Sequence, residues 1–156
     1  MTLMKRIAAV MLVLTLTLTL CACGDKGEIR DTIDDFEEAC QELDLNDLLE
    51  CIEPSTAATL RAGAGLLGNL TGQSSAELLD SVVPFLFGEN YADSVFLNSI
   101  DIEIEDVAVN EDTATAMGTV SFLFNGETVV KNADFRLVKQ GSEKDTDWYI
   151  TDIDFN

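Results

Sequence analysis

Histidine is absent from this 156-residue chain, and positive charge is scarce: 9 Lys and Arg stand against 29 Asp and Glu, for a formal net charge of −20. The missing imidazole removes the most versatile general base and a common metal ligand. Cys40 and Cys51 without an imidazole make a poor zinc site. The acid excess is repelled by phosphate backbones, which argues against nucleic acid as a partner, and by anionic lipid as well. The apolar run near the N-terminus, Ile7 to Leu20, is fourteen residues long, whereas a bilayer core of roughly 30 Å needs about 20 helical residues. No D-x-D-x-D-G calcium loop and no internal repeat occurs. Nothing in the chain calls for a cofactor or a metal.

The N-terminus carries the most specific pattern. Lys5 and Arg6 form a basic start, the apolar run follows, and Leu20-Cys21-Ala22-Cys23 ends it. This resembles a bacterial lipoprotein signal. The resemblance implies cleavage between Ala22 and Cys23, lipidation of Cys23, and a chain anchored at the extracytoplasmic face of the cell membrane. Cys21 departs from the usual Ala, Ser or Thr at its position. Lipidation of Cys21 instead would put bulky Leu20 at the cut, so Cys23 is preferred. The alternative is an ordinary secretory signal with incidental cysteines. Cleavage removes residues 1–22, including two bases and no acid, and leaves a single domain-sized chain. Residues 23–27 read as a short tether, which reaches only about 17 Å when extended. Lys26 and Arg30 beside it are placed to face the headgroups, or are ordinary solvated residues.

Cys40 and Cys51 remain in the exported chain. They fall on the apolar faces of consecutive helical segments. An even pair outside the cytoplasm permits a disulfide; the alternative is two buried thiols acting as small hydrophobes.

Residues 28–43 read as an amphipathic helix with Ile29, Ile33, Phe36, Cys40 and Leu43 at helical spacing and acids mostly opposite. Asp44 or Asn46 caps a second helix that ends before Pro54. A third, glycine-rich helix spans 55–70. Thr71-Gly72-Gln73 breaks it, and Ser74-Ser75-Ala76-Glu77 resembles a capping box for a fourth, kinked or ended by Pro84. From Val95 the period becomes two. Ile100, Ile102 and Ile104 alternate with Asp101, Glu103 and Glu105, and Ala114 to Phe124 alternate with a polar set. Asn125-Gly126 reads as a type I′ hairpin turn. The phase of the last strand slips between Ile150 and Ile153, which predicts a β-bulge.

Helices first and strands after argue an α+β class: N-terminal helices packed on a curved four-stranded antiparallel sheet. Ile33-Asp34-Asp35-Phe36 through Leu45-Asn46-Asp47-Leu48-Leu49, the turn Asn110 to Ala116, and the closing strand Trp148 to Ile153 carry a likeness. Their order resembles the nuclear-transport-factor-2-like domain, also called the cystatin-like or ketosteroid-isomerase-like cone, over residues 28–156. That resemblance implies a helix-capped cone but no single activity, because isomerases, dehydratases, transport factors and plain binding modules share the fold.

Candidate chemistry is sparse. Gly63-Ala64-Gly65-Leu66-Leu67-Gly68 spells G-x-G-x-x-G, but a dinucleotide site needs a preceding strand and a βαβ context, and residues 57–62 read as helix. Asn69-Leu70-Thr71 is a formal glycosylation sequon, discounted with a bacterial signal. Asp101, Glu103, Glu105 and neighbouring Asp106 offer carboxylates to a divalent cation, or form a solvated face eased by Arg136 or Lys139 on a neighbouring strand. Lys131 is in phase with the apolar face of Val129, Ala133 and Phe135, where it reaches a pocket mouth or snorkels out. Small Ala114, Ala116 and Gly118 leave room inside the curve for a ligand or for the rings of Phe85 and Phe87. The expected function is therefore a lipid-anchored, non-enzymatic module binding a protein or small molecule. The alternative is an isomerase- or dehydratase-like enzyme using the cone, and a third reading is a cation-responsive surface protein. Met117, Leu123 and Val138 on one sheet face hint at a homodimer.

Overall fold

The structure, a computed structural model, describes residues 24–71, 75–88, 94–142 and 145–156. The signal and lipid-attachment residues through Cys23, the break at 72–73 and Ser74 of the capping box lie outside the described residues.

Helix α1 is described over residues 24–42. Ile29, Ile33, Phe36 and Cys40 form its buried stripe, as their spacing requires. The described residues 24–27, read as most of an extended tether, are already helical. Gly24 and Gly27 favour no helix, but Lys139 Nζ donates to Asp25 Oδ1 at 2.7 Å and ties this turn to the sheet. At the other end Leu43 takes a left-handed φ of 56°. The Leu43 N–H donates to Cys40 O at 3.1 Å and the Asp44 N–H to Ala39 O at 3.0 Å, the paired bonds of a Schellman stop. Asp44 then caps α2 (Leu45–Glu50), its carboxylate accepting from the Asn46 and Asp47 N–H groups.

Glu53 plays the same part for α3 (Pro54–Thr71). Its Oε2 accepts from the Thr56 N–H at 3.0 Å and from the Ser55 hydroxyl. Pro54 holds the first helical position, where a missing N–H breaks no intrahelical bond. Helix α4 (Ser75–Phe87) continues through Pro84. It closes at Gly88, with φ 95°, whose N–H donates to Pro84 O.

Residues Ser94–Ser99, expected to begin the first strand, form a 3-10 helix instead. Phe96 and Leu97 are adjacent and both buried, which an alternating strand does not allow and a tight helical turn does.

The sheet is a meander in the order β1-β2-β3-β4, all pairs antiparallel: β1 (Asp101–Asn110), β2 (Thr113–Phe124), β3 (Glu127–Ser142) and β4 (Asp145–Phe155). Asn125 and Gly126 have φ of 53° and 83°, as a type I′ turn demands. Register shifts curve the sheet at two places. The expected one skips Thr151, between the Arg136–Asp152 and Leu137–Ile150 pairs. The other skips Glu105, between the Ile104–Gly118 and Asp106–Met117 pairs, and moves the inward set of β1 from Ile102 to Val107. β1 presses so close there that a Cβ on Gly118 would stand 2.1 Å from Glu103 O. Gly118 is therefore small because of the neighbouring backbone.

Both sheet edges are blocked. The Ile150 N–H of β4 donates to Cys51 O at 2.8 Å, and the Glu53 N–H donates to Ile150 O at 2.9 Å. Along β1, three side chains of α1 replace a fifth strand. Arg30 Nη1 donates to Ile104 O, Gln41 Nε2 donates to Ile100 O, and Glu37 Oε2 accepts from the Ile102 N–H, at 2.8, 2.8 and 3.0 Å. Arg30 thus serves the sheet and is not a free headgroup contact.

Candidate functional site

The interior of the cone is the first place to look for chemistry. Among the described residues every buried one is apolar or glycine. Phe87 stacks on Phe36 and Phe155, with centroids 6.2 and 5.8 Å apart, and meets Phe96 edge-on at 5.6 Å. Phe96 in turn lies 4.8 Å from Phe122. Of the two rings expected to fill the cone, Phe87 does so, whereas Phe85 is 70% exposed. Lys131 lies opposite Val120 but is exposed.

Glu37 is a half-buried acid drawn from its ordinary behaviour. Burial raises its pKa, Asp101 and Asp34 add to the rise, and the bond from Ile102 works against it. It faces the β1 edge and the Gln41 amide, so its role there is structural.

The remaining sequence candidates fall apart in space. Gly63, Gly65 and Gly68 all lie within α3, with no strand before them. Asp101, Glu103 and Glu105 are exposed along β1, and among the described residues no group of three acids or thiols is placed to hold a metal. The cations expected to ease that ladder point elsewhere. Arg136 pairs with Asp152 and Asp154 of β4, and Lys139 pairs with Asp25; β2 separates both from β1. Met117 and Leu123 are exposed, Val138 is half-buried, and Val130 joins the exposed apolar set at 61%.

Cys40 and Cys51 are both buried free thiols, and no disulfide joins them in this structure. Burial drives the Cys40 pKa far up, and burial with help from Asp35, Glu50 and Asp47 pushes that of Cys51 to about 12. Neither supplies a thiolate near neutral pH.

The concave surface lies outside the cone. On α1 the acids Glu28, Asp31, Asp35, Glu38 and Glu42 recur at steps of three and four and so share one helix face. They line two adjoining hollows. One, of about 330 Å³, is closed by Thr146, Asp147 and Trp148 of β4. The other, of about 390 Å³, is closed by Asp47 and Glu50 of α2. Asp35 and Cys51 belong to both, which makes them one groove. Among the described residues no basic side chain lines it and the ion pairs leave its carboxylates out, although Lys139 acts on Glu28 through space.

Trp148 in the wall is 2% exposed, and its indole Nε1 is buried with no hydrogen-bond partner. Thr32 donates to its carbonyl at 3.3 Å, and the Lys139 ammonium sits 5.6 Å from its ring centroid. The acids of α1 were legible as a helix face from their spacing. Their junction with α2 and the start of β4 was not, because three distant segments supply it.

The comparisons bear on the fold. No family model matches the chain, and no curated protein does. A solved structure does, the crystal structure of an NTF-2-like protein of unknown function from Shewanella oneidensis MR-1. The match covers 82% of this chain and 95% of that one, with a TM-score of 0.51 at 14% identity. The fold is nuclear-transport-factor-2-like. At that identity the likeness speaks for architecture and leaves activity to the residues.

Proposed function

We propose that this protein is a lipid-anchored, extracytoplasmic binding module, attached through Cys23 and acting without catalysis. The observation that carries the binding half is the cone itself. Its described interior is packed with apolar side chains, so a partner is left the outer hollows, of which the acidic groove carries the most charge. An isomerase or dehydratase of this fold needs an acid or base inside the cone, and the described interior offers neither.

The anchoring half rests on the lipoprotein-like signal at Leu20 to Cys23. Helix α1 is described from the next residue, Gly24, and Glu28 follows Gly24 by about 6 Å of helix rise. The groove then opens close to the headgroups. Labelled fatty acid tests this directly. The full chain is expected to incorporate label and be shortened, and Cys23→Ala to remain unprocessed and unlabelled. Normal processing and labelling of Cys23→Ala would contradict the anchor.

A further inference from the structure

The groups that cover β1 and β4 leave one length of sheet edge open. β4 pairs with β3 only from Ala133, opposite Phe155, and the Asn156 N–H donates to Asn132 O. Glu127 to Lys131 of β3 run past that point and pair only with β2. Alternation decides which backbone groups face out. Asn132 turns its carbonyl toward β4, so Val130 and Thr128, two and four residues back, turn their backbone groups to the same side. Among the described residues, no backbone bond from outside the β2–β3 ladder reaches the N–H or C=O of either. Both residues are exposed, Val130 to 61%. An open edge of this kind accepts another extended strand.

The sequence of this edge, Glu127-Thr128-Val129-Val130-Lys131, complements its own reverse. Two copies running antiparallel about Val129 set Glu127 of each against Lys131 of the other, and Thr128 of each against Val130 of the other. The Thr128–Val130 pairs, with their backbone groups facing out, exchange N–H to carbonyl bonds across the join. The Val129–Val129 and Glu127–Lys131 pairs are then the close-set kind, with Cα atoms about 4.5 Å apart, where opposite charges attract. Glu127 and Lys131 are exposed, and neither enters an ion pair of the described residues. A slip of two residues either way puts Val129 opposite one of these charges and loses both ion pairs. The acid excess repels two copies at a distance, but screening to about 8 Å at physiological salt leaves the contacts at the edge to decide.

We propose that a second copy of this chain pairs antiparallel along Glu127 to Lys131 of β3, joining the two sheets across a two-fold axis. The contact needs neither the acidic groove nor the anchor at Cys23. A five-residue edge makes a weak dimer in solution, and confining two anchored copies to one surface raises their effective concentration.

The test traps the contact. The full chain carrying Cys21→Ser and Cys23→Ser keeps only the two buried thiols. It is held in neutral detergent micelles well in excess of protein and oxidised gently with copper phenanthroline. Adding Val129→Cys is expected to give about tenfold more covalent dimer than this parent, because the self-opposed Cα atoms lie within disulfide reach. Thr128→Cys and Val130→Cys, both at exposed positions, keep the test readable if Val129→Cys does not fold. Each alone is expected to cross-link no more than the parent, being offset from its own counterpart, whereas an equal mixture of the two is expected to cross-link. Adding Lys131→Glu to Val129→Cys is expected to cut the yield about tenfold, and adding Glu127→Lys as well to restore it. The proposal is overturned if neither Val129→Cys nor the mixture cross-links above the parent, or if Thr128→Cys or Val130→Cys alone cross-links as well as the mixture. It is also overturned if Lys131→Ala raises the Val129→Cys yield, the mark of a charge that shields the edge from pairing.

Discussion

The two polar flanks of helix α1 make opposite use of the same chemistry. On the flank toward β1, Arg30, Glu37 and Gln41 each meet a backbone group of the sheet edge. On the flank toward the groove, Glu28, Asp31, Asp35, Glu38 and Glu42 appear in none of the ion pairs of the described residues. Satisfied polar groups stabilise the fold and block strand addition at an open edge. Unpaired like charges do the reverse, so a helix that keeps them gains something other than stability.

The largest effect belongs to neither flank and calibrates both. Phe36 on the buried stripe of α1 is fully inaccessible and stacks on Phe87. Phe36→Ala is expected to cost about 3–5 kcal/mol in urea unfolding. Loss well under 2 kcal/mol would show that the cone is loosely filled and able to admit a ligand.

Next comes the edge flank. Glu37→Ala removes the acceptor for the Ile102 N–H, and leaving that group unpaired is expected to cost about 1–3 kcal/mol. Arg30→Ala should cost less, because a carbonyl tolerates a missing donor better. If Glu37→Ala left the urea midpoint unchanged, the edge flank would be as expendable as the groove flank, and the contrast would collapse.

Acid provides a smaller, signed effect. The Ser55 hydroxyl and the Thr56 N–H hold the Glu53 pKa down at about 2. A depressed folded pKa stabilises above the unfolded value and is lost as pH falls through the folded one. The Glu53 contribution should therefore be complete above about pH 4.3 and fade toward pH 2. Glu37, with its pKa raised by burial, runs oppositely. Its protonation favours the fold below the unfolded value, and that gain is lost as pH rises through the folded one. Glu53→Gln should flatten the decline in urea midpoint between pH 4.5 and 2.5. An unchanged slope would assign acid sensitivity to other carboxylates.

Much of this architecture was readable in the residues. Periodicity located the helical stripe of α1, the alternation of β2, the Asn125-Gly126 turn and the slip at Thr151, because each depends on local pattern. What escaped depends on neighbours distant in the chain. The bulge at Glu105 arises from the pairing of β1 with β2 and the approach to Gly118. The turn of α1 around Asp25 holds Gly24 and Gly27 and is tied down by Lys139, over a hundred residues away in sequence. The sequence showed the acids of α1 as a face, but nothing local distinguishes a face that meets water from one that closes a groove with Trp148.

The smallest expected change in stability is also the most decisive, because its sign is the opposite of an ordinary loss. Glu38, Glu42 and Glu50 all line the second hollow. Glu42 and Glu50 sit at the C-terminal ends of α1 and α2, where negative charge opposes the helix dipole. The triple variant Glu38→Gln, Glu42→Gln, Glu50→Gln removes repulsion and dipole conflict together. Urea unfolding of the full chain, followed by Trp148 emission, is expected to show it about 0.5–1 kcal/mol more stable. A less stable variant would mean that these carboxylates serve the fold, and the contrast between the two flanks of α1 would be lost.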